Sequence, residues 1–202
     1  MWRLRGTFWW MRTGASGKRK VVTQQGLADC QAMAARFVAG RRGSAPIVLD
    51  AAFCSDLPRS KICARHVLTA LGQSITVVPY PAFFVNDLVT GESGEAGDAV
   101  EREIGHIGTA ERWLQRWPAA HTMRERIQDG MLELALEQED REREFHIMVM
   151  HHSPGCQLAA PDVLRMGPIR PADVVRYRIY ETPKGLVIAS AHHIPYKRRV
   201  VL

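Results

Sequence analysis

The sequence predicts an α/β domain: a three-layer sandwich with a mostly parallel central sheet and helices on both faces. Three observations carry this. Strand-like and helix-like segments alternate along the chain, the pattern of crossover connections in a parallel sheet. Residues 46–53 (PIVLDAAF) and 145–151 (FHIMVMH) are apolar runs that read as buried strands. The 202 residues show no internal repeat and match one domain of ordinary size.

The elements follow in order. Residues 6–12 (GTFWWMR) form a short aromatic strand, with at least one of Trp9 and Trp10 in the core. Gly14 to Lys20 is a loop. Residues 23–39 read as a helix capped by Thr23, with Leu27, Cys30, Ala34 and Phe37 near helical spacing. After the strand at 46–53, Pro58 opens a helix over 58–71 that turns Ile62, Val67, Leu68 and Leu71 inward. Residues 75–78 (ITVV) form a third strand. Residues 79–108 hold two prolines, five glycines and several acids, the composition of a long irregular stretch. Residues 109–117 and 122–143 are helical, and the charged run Glu137 to Glu144 ends the second as a solvated face with internal ion pairs. After the strand at 145–151, strands at 174–181 and 186–190 flank Thr182-Pro183-Lys184-Gly185, a hairpin turn.

Composition narrows the classes. A chain of 22.7 kDa with 46% apolar and 24% charged residues buries roughly 70% of its unfolded surface and needs no staples. No run approaches the ~20 apolar residues of a membrane helix, so no membrane partner is expected. Four cysteines without CxxC spacing read as reduced thiols, which suits the cytoplasm. The net charge of +6 favours anionic partners, although the tight basic clusters are only Lys18-Arg19-Lys20 and Lys197-Arg198-Arg199.

Ligands of such sheets bind beyond the carboxyl ends of the strands. That rule selects the loops after residues 12, 53, 78 and 151. They hold Arg12-Thr13-Gly14, the segment Cys54-Ser55-Asp56-Leu57-Pro58-Arg59 leading into a helix, and His151-His152-Ser153-Pro154-Gly155. Arginine presents a planar fork of donors that matches two phosphate oxygens. A helix start adds N–H groups and a positive dipole end. Arg12, Arg59 and His152 therefore read as the lining of a phosphate pocket.

These segments, in this order, resemble the histidine phosphatase superfamily, the phosphoglycerate-mutase-like proteins. Phe8-Trp9-Trp10-Met11-Arg12-Thr13-Gly14 is similar to the family's apolar strand ending in Arg-His-Gly. Thr23-Gln24-Gln25-Gly26 resembles its Thr-x-x-Gly helix opening, and Ser55-Asp56-Leu57-Pro58-Arg59-Ser60 its Ser-rich turn before Leu-x-Arg-Ala. His151-His152-Ser153-Pro154-Gly155 resembles Gly-His-Asn-Pro-Gly and places the family's second histidine at His152. Gly167-Pro168 and the closing strand resemble the small phosphohistidine-phosphatase-like members, so the likeness covers roughly residues 6–190.

The resemblance implies a mechanism and a defect in it. In the family the first histidine attacks phosphorus, two arginines and the second histidine cradle the phosphoryl oxygens, and a carboxylate protonates the leaving oxygen. Here the nucleophile's position is Thr13, whose hydroxyl is neutral near pH 7 and needs an adjacent base. Asp87, or else Glu92, stands in the loop expected to carry the acid. The expectation is one domain over 1–202, with a lid-like insertion at about 80–118. It binds a phosphorylated small molecule or a phosphoprotein, with weak or no phosphomonoester hydrolysis and no metal or organic cofactor. The alternatives are an active phosphatase with a modified mechanism and a basic nucleic-acid-binding protein. A rescue nucleophile would be His151, Cys54 or Cys156. A zinc site at His151-His152 with Asp162, or at His192-His193, lacks a common-face spacing. Nucleic acid is disfavoured because the Trp-rich start reads as core.

Overall fold

The computed structural model describes residues 1–16, 21–38, 47–84, 103, 109–152 and 155–196. Its sheet has six strands in the order β3-β2-β4-β1-β5-β6. In chain order these are β1 (Arg3–Arg12), β2 (Ala51–Cys54), β3 (Val77–Pro79), β4 (Phe145–His151), β5 (Val174–Thr182) and β6 (Gly185–Ile194). The pairs β3–β2, β2–β4 and β4–β1 are parallel, whereas β5 and β6 run antiparallel. The sheet is thus mixed but mostly parallel, as expected, with the closing hairpin as its antiparallel wing.

β1 lies inside the sheet because its sequence suits no edge. Phe8 and Trp10 face one side and Trp9 and Met11 the other, and all four are buried. On one side they pack with α1 (Gln24–Val38) and α2 (Pro58–Ala70) around Cys30, Met33, Ala64 and Val67. On the other they meet α3 (Ala110–Arg116), α4 (Ala119–Leu136) and the short α5 (Gly155–Leu158). Trp10 anchors this second layer. Its ring meets Phe83 and Tyr177 edge-on at 4.9 and 6.1 Å. Such pairs add ~0.5–1.5 kcal/mol each beyond the area they bury.

Local chemistry sets the boundaries. Thr23 Oγ1 accepts from Gly26 N at 3.0 Å and starts α1 where the sequence put it. Pro58 starts α2, and Thr109 caps α3 by accepting from Arg112 N. Gly185, at φ +110°, closes the hairpin.

Five expectations are corrected. β2 spans four residues rather than eight, because the chain before it is spent on Asp50, whose amide donates to the His146 carbonyl at 2.7 Å. The helix expected at 122–143 runs from Ala119 to Leu136. The charged run beyond it is turn and bend, and Arg141 and Arg143 pair with the buried Asp50 carboxylate rather than within the run. Ile62 is 42% exposed; α2 packs through Ser60, Cys63, Ala64, Val67 and Leu68 instead. β6 continues four residues beyond 190, to Ile194. Among the described residues no helix is long and apolar enough to cross a membrane.

Candidate anion-binding site

The parallel strands end along one edge of the sheet, and the expected loops meet there. Arg12 stands opposite His151 in the β1–β4 register. Thr13 N donates to the His151 carbonyl at 2.8 Å, and Ser55 N donates to the Met150 carbonyl at 3.2 Å. The segments Arg12-Thr13, Ser55-Asp56 and His151-His152 are therefore laced together by backbone bonds across β1, β4 and β2. Arg59 follows in the first turn of α2, whose N-cap Leu57 supplies no side-chain bond. Pro58 has no N–H, and the Ser60 and Lys61 amides donate to the Leu57 carbonyl at 2.9 and 3.4 Å, so this helix start contributes its positive dipole end.

Arg12 is held from both sides. Its N–H donates to the Asp173 carbonyl at 2.9 Å, and its own carbonyl accepts from Ala172 N at 3.1 Å. The guanidinium Nη1 donates to the Ile169 carbonyl. Arg12 is 7% exposed and Thr13 4%, so both sit in the floor of the edge rather than on its rim. Asp173 braces this floor: its carboxylate accepts from His193 Nε2, Tyr196 N and Arg170 N at 2.8, 2.8 and 2.9 Å. Burial pushes that carboxyl up, but the three donors outweigh it and leave it below the usual carboxylate range.

Gly14 and Gly26 press the first turn of α1 against the loop. A Cβ on Gly14 would overlap the Gly26 carbonyl, and one on Gly26 would overlap the backbone of Ala15. Thr23 ties the far side of the loop, since its N–H donates to the Ala15 carbonyl at 2.9 Å.

The two histidines differ. His151 is fully buried, with Nδ1 2.8 Å from the His152 carbonyl and Nε2 2.8 Å from the Phe83 carbonyl. It is a strut between β4 and the loop after β3, and its nitrogens are engaged, so it is no rescue nucleophile. The chain leaves the extended form after His151, and the rings stack at 5.2 Å and 18°. Gly155 is needed here too, because a Cβ on it would overlap the His151 ring. His152 itself is half-buried at the strand end.

Burial holds His151 below the ordinary histidine value, with Arg126 acting the same way; the two carbonyls and Asp56 act in opposition. Those last groups reveal what the sequence did not flag. Arg126, from α4, donates to the Phe84 carbonyl and adds a cation near this edge. Asp56 adds a carboxylate. Arg126 sits in an ordinary amphipathic helix, so no local signal could have picked it out. The other rescue candidates are inert: Cys54 and Cys156 are fully buried, which pushes their thiols up to about 11 and about 12. Asp87, Glu92, Ser153 and Pro154 lie outside the described residues. Among the described residues no group of three or more metal-ligating side chains comes together.

The buried histidine makes stability acid-sensitive. The unfolded chain takes up the His151 proton at the ordinary value near 6.5, whereas the folded chain resists it to lower pH. Stability from this residue is therefore complete above about pH 6.5 and falls as pH drops through the folded value, at up to ~1.4 kcal/mol per pH unit. Urea midpoints at pH 7.5 and 5.5 check this, and His151→Gln is expected to flatten the slope. A midpoint independent of pH would contradict it.

Solved structures share this fold. The chain is similar to a phosphoglycerate mutase from Bacillus anthracis, with a TM-score of 0.60, 15% identity and 92% of each chain covered. It is similar to a mycobacterial glucosyl-3-phosphoglycerate phosphatase, with a TM-score of 0.59, 12% identity, and 94% and 97% of the two chains covered. A phosphoserine phosphatase from Entamoeba histolytica, solved with 3-phosphoglyceric acid, gives a TM-score of 0.57, 13% identity, and 95% and 98% covered. No protein-family model matches the sequence, and no curated protein does. At these identities the likeness is one of architecture, and the chain has the α/β fold of the phosphoglycerate-mutase-like histidine phosphatases.

Proposed function

We propose that this protein is a degenerate member of the histidine phosphatase superfamily. It binds the phosphoryl group of a phosphorylated small molecule or phosphoprotein through Arg12, Arg59 and His152. The observation that carries the reading is the lacing of Arg12-Thr13 to His151-His152 at the carboxyl edge, beside the uncapped start of α2, in a fold shared with phosphate-ester enzymes. Thr13 takes the nucleophile's place, so hydrolysis is weak or absent. A threonine hydroxyl is a poor nucleophile without a base, and an alkyl phosphate ester is a poor leaving arrangement for the second step. The cations of the pocket come from side chains, and the acid for any residual turnover is Asp87. Free thiols at all four cysteines suit the cytoplasm.

Calorimetric titration with vanadate or inorganic phosphate tests the pocket. The wild type is expected to bind. Arg59→Ala is expected to weaken binding ~10- to 100-fold, the equivalent of the ~1.5–3 kcal/mol of a charge-assisted hydrogen bond. Unchanged affinity in both Arg59→Ala and Arg12→Ala would overturn the reading. Binding of single-stranded RNA that competes with vanadate and weakens steeply with salt would replace it with the nucleic-acid alternative.

A further inference from the structure

The antiparallel wing of the sheet carries a basic and aromatic face that the anion site does not use. Val174 of β5 packs with Trp9 and Met11 of β1 on the α1–α2 side. Side chains alternate along a strand, so Arg176, Arg178 and Tyr180 stand on that same side. The register sets Arg176 between Trp9 and His192, and Arg178 between Thr7 and Ser190. Tyr180 stands between Leu4 and Val187, and its ring meets that of Trp2 at 6.1 Å. Of β5 and β6, only Val174 and Ile194 join the core on this side. Ser190 and His192 are exposed, Arg176, Arg178 and Tyr180 are half-buried, and Trp2 is 63% exposed. Glu181, the one acid in β1, β5 and β6, points to the opposite face, where it pairs with Arg5 against the end of α4. Burial holds His192 below the ordinary histidine value, and Arg176, His193 and Arg178 act the same way, the mark of a positive field.

We propose that this face of the wing is a docking surface for single-stranded nucleic acid, separate from the anion site. Same-face neighbours along a strand recur about every 6.7 Å, so Arg176 and Arg178 present two guanidinium groups in a row, with the Tyr180–Trp2 pair as the next step. The arginines take phosphates of the backbone, and the rings stack on a base, since every base offers a π-face. A face without carboxylates complements a polyanion, and the net charge of +6 adds attraction at longer range. The aromatic pair decides between polyanions. An acidic peptide or an anionic lipid surface would use the arginines and leave the rings without a matching plane. Bases must be splayed out to lie on a sheet, which a single strand permits and a duplex prevents.

The surface does not overlap the anion site. Arg178 stands opposite Thr7, five residues before Arg12 and so roughly 17 Å away along β1. Two phosphate contacts on a single strand give a slope of log affinity against log salt of about −1.4. Affinity is therefore expected to fall about 7-fold between 50 and 200 mM salt.

The test measures fluorescence anisotropy of labelled oligo(U) and oligo(dT) titrated with the full-length chain at several salt concentrations. Saturable binding with that slope is expected. Arg178→Ala is expected to weaken it ~10-fold and to lower the slope by about 0.7. If that variant does not fold, Arg178→Gln serves. Trp2→Ala is expected to weaken binding at least ~5-fold with the slope unchanged, a readout that loss of charge alone would not give. Arg165→Ala removes an equal charge from a side chain that is 87% exposed on the segment packed against the opposite face, and is expected to change little. Vanadate and Arg59→Ala are expected to leave oligonucleotide affinity as it is. No binding at 50 mM salt, or equal effects of Arg178→Ala and Arg165→Ala, would overturn the proposal. So would tighter binding of a duplex, a polyglutamate peptide or a phosphatidylserine vesicle than of the single strands. Displacement of the oligonucleotide by vanadate would move it to the anion site and overturn the proposal too. Failure of vanadate to bind at all, with oligonucleotide binding intact, would count against the reading of the anion site alone.

Discussion

The Thr13→His variant is expected to hydrolyse a generic aryl phosphomonoester at least ~10²-fold faster than the wild type, the lower end of what a positioned histidine contributes elsewhere. The backbone already offers the place. Thr13 N is fixed to the His151 carbonyl at 2.8 Å, a bond made by the main chain and kept by any residue but proline. Arg12 and the start of α2 are unaltered by the substitution. An imidazole there is both a competent nucleophile and a competent leaving group, which the threonine hydroxyl is not. Steady-state hydrolysis by the wild type, Thr13→His and His152→Ala, purified side by side, decides the matter. Gain in Thr13→His over a silent wild type supports a pocket that kept its cradle and lost its nucleophile. Turnover by the wild type that His152→Ala abolishes would select the active-phosphatase alternative. Silence from Thr13→His, with vanadate binding intact, would show that the loop cannot present the ring.

The Gly14→Ala variant is expected to lose vanadate binding and several kcal/mol of stability together. One methyl group is the whole change, but the space it needs is occupied by the Gly26 carbonyl. Neither partner is a flexible side chain that could swing aside; one is the loop after β1 and the other the first turn of α1. Relief requires α1 to move off the loop, which strains the Thr23 cap and its bonds to Ala15. Overpacked sites typically cost ~1–3 kcal/mol, and backbone against backbone belongs at or above the top of that range. Chemical denaturation gives the stability and calorimetry the affinity. A variant that folds with wild-type midpoint and binds normally would mean the glycine pair is not needed to set the loop. The same reasoning ranks Gly72, around which a Cβ meets nothing, as a control site for packing, although its φ of +64° disfavours a side chain.

What could be read from the sequence was what local rules govern. β1 was legible because apolar residues occupy both of its faces, and α1 because Thr23 and the spacing after it act within a few residues. The placement of Arg12, Thr13, Arg59 and His152 at one edge followed from topology, since every parallel strand ends on the same side. Errors arose where a distant partner decides. Arg141 and Arg143 looked like part of a helical charge ladder, yet Asp50, some ninety residues away, claims them and the helix stops at Leu136. Ile62 looked like core, but the face of α2 that packs is set by where α1 lies, and small residues suit that close approach. The reach of Arg126 to the Phe84 carbonyl is purely tertiary. His152 could be placed by the resemblance, whereas the stacking of His151 on it depends on a bend that no spacing announces.

The central position of β1 has a consequence for how the chain is made. Its sheet partners are β4 and β5, so Arg12 waits for His151, roughly 140 residues later in the chain. At ribosomal speeds of about 5–20 residues per second, that is on the order of ten to thirty seconds. Throughout that interval an apolar ribbon of Phe8, Trp9, Trp10 and Met11 has left the ribosome with no strand beside it, and long-range pairing of this kind is intrinsically slow. The candidate site is thus among the last features to exist in the newborn chain. The segment that begins it is also the one most exposed to chaperones, and to aggregation, before it is complete.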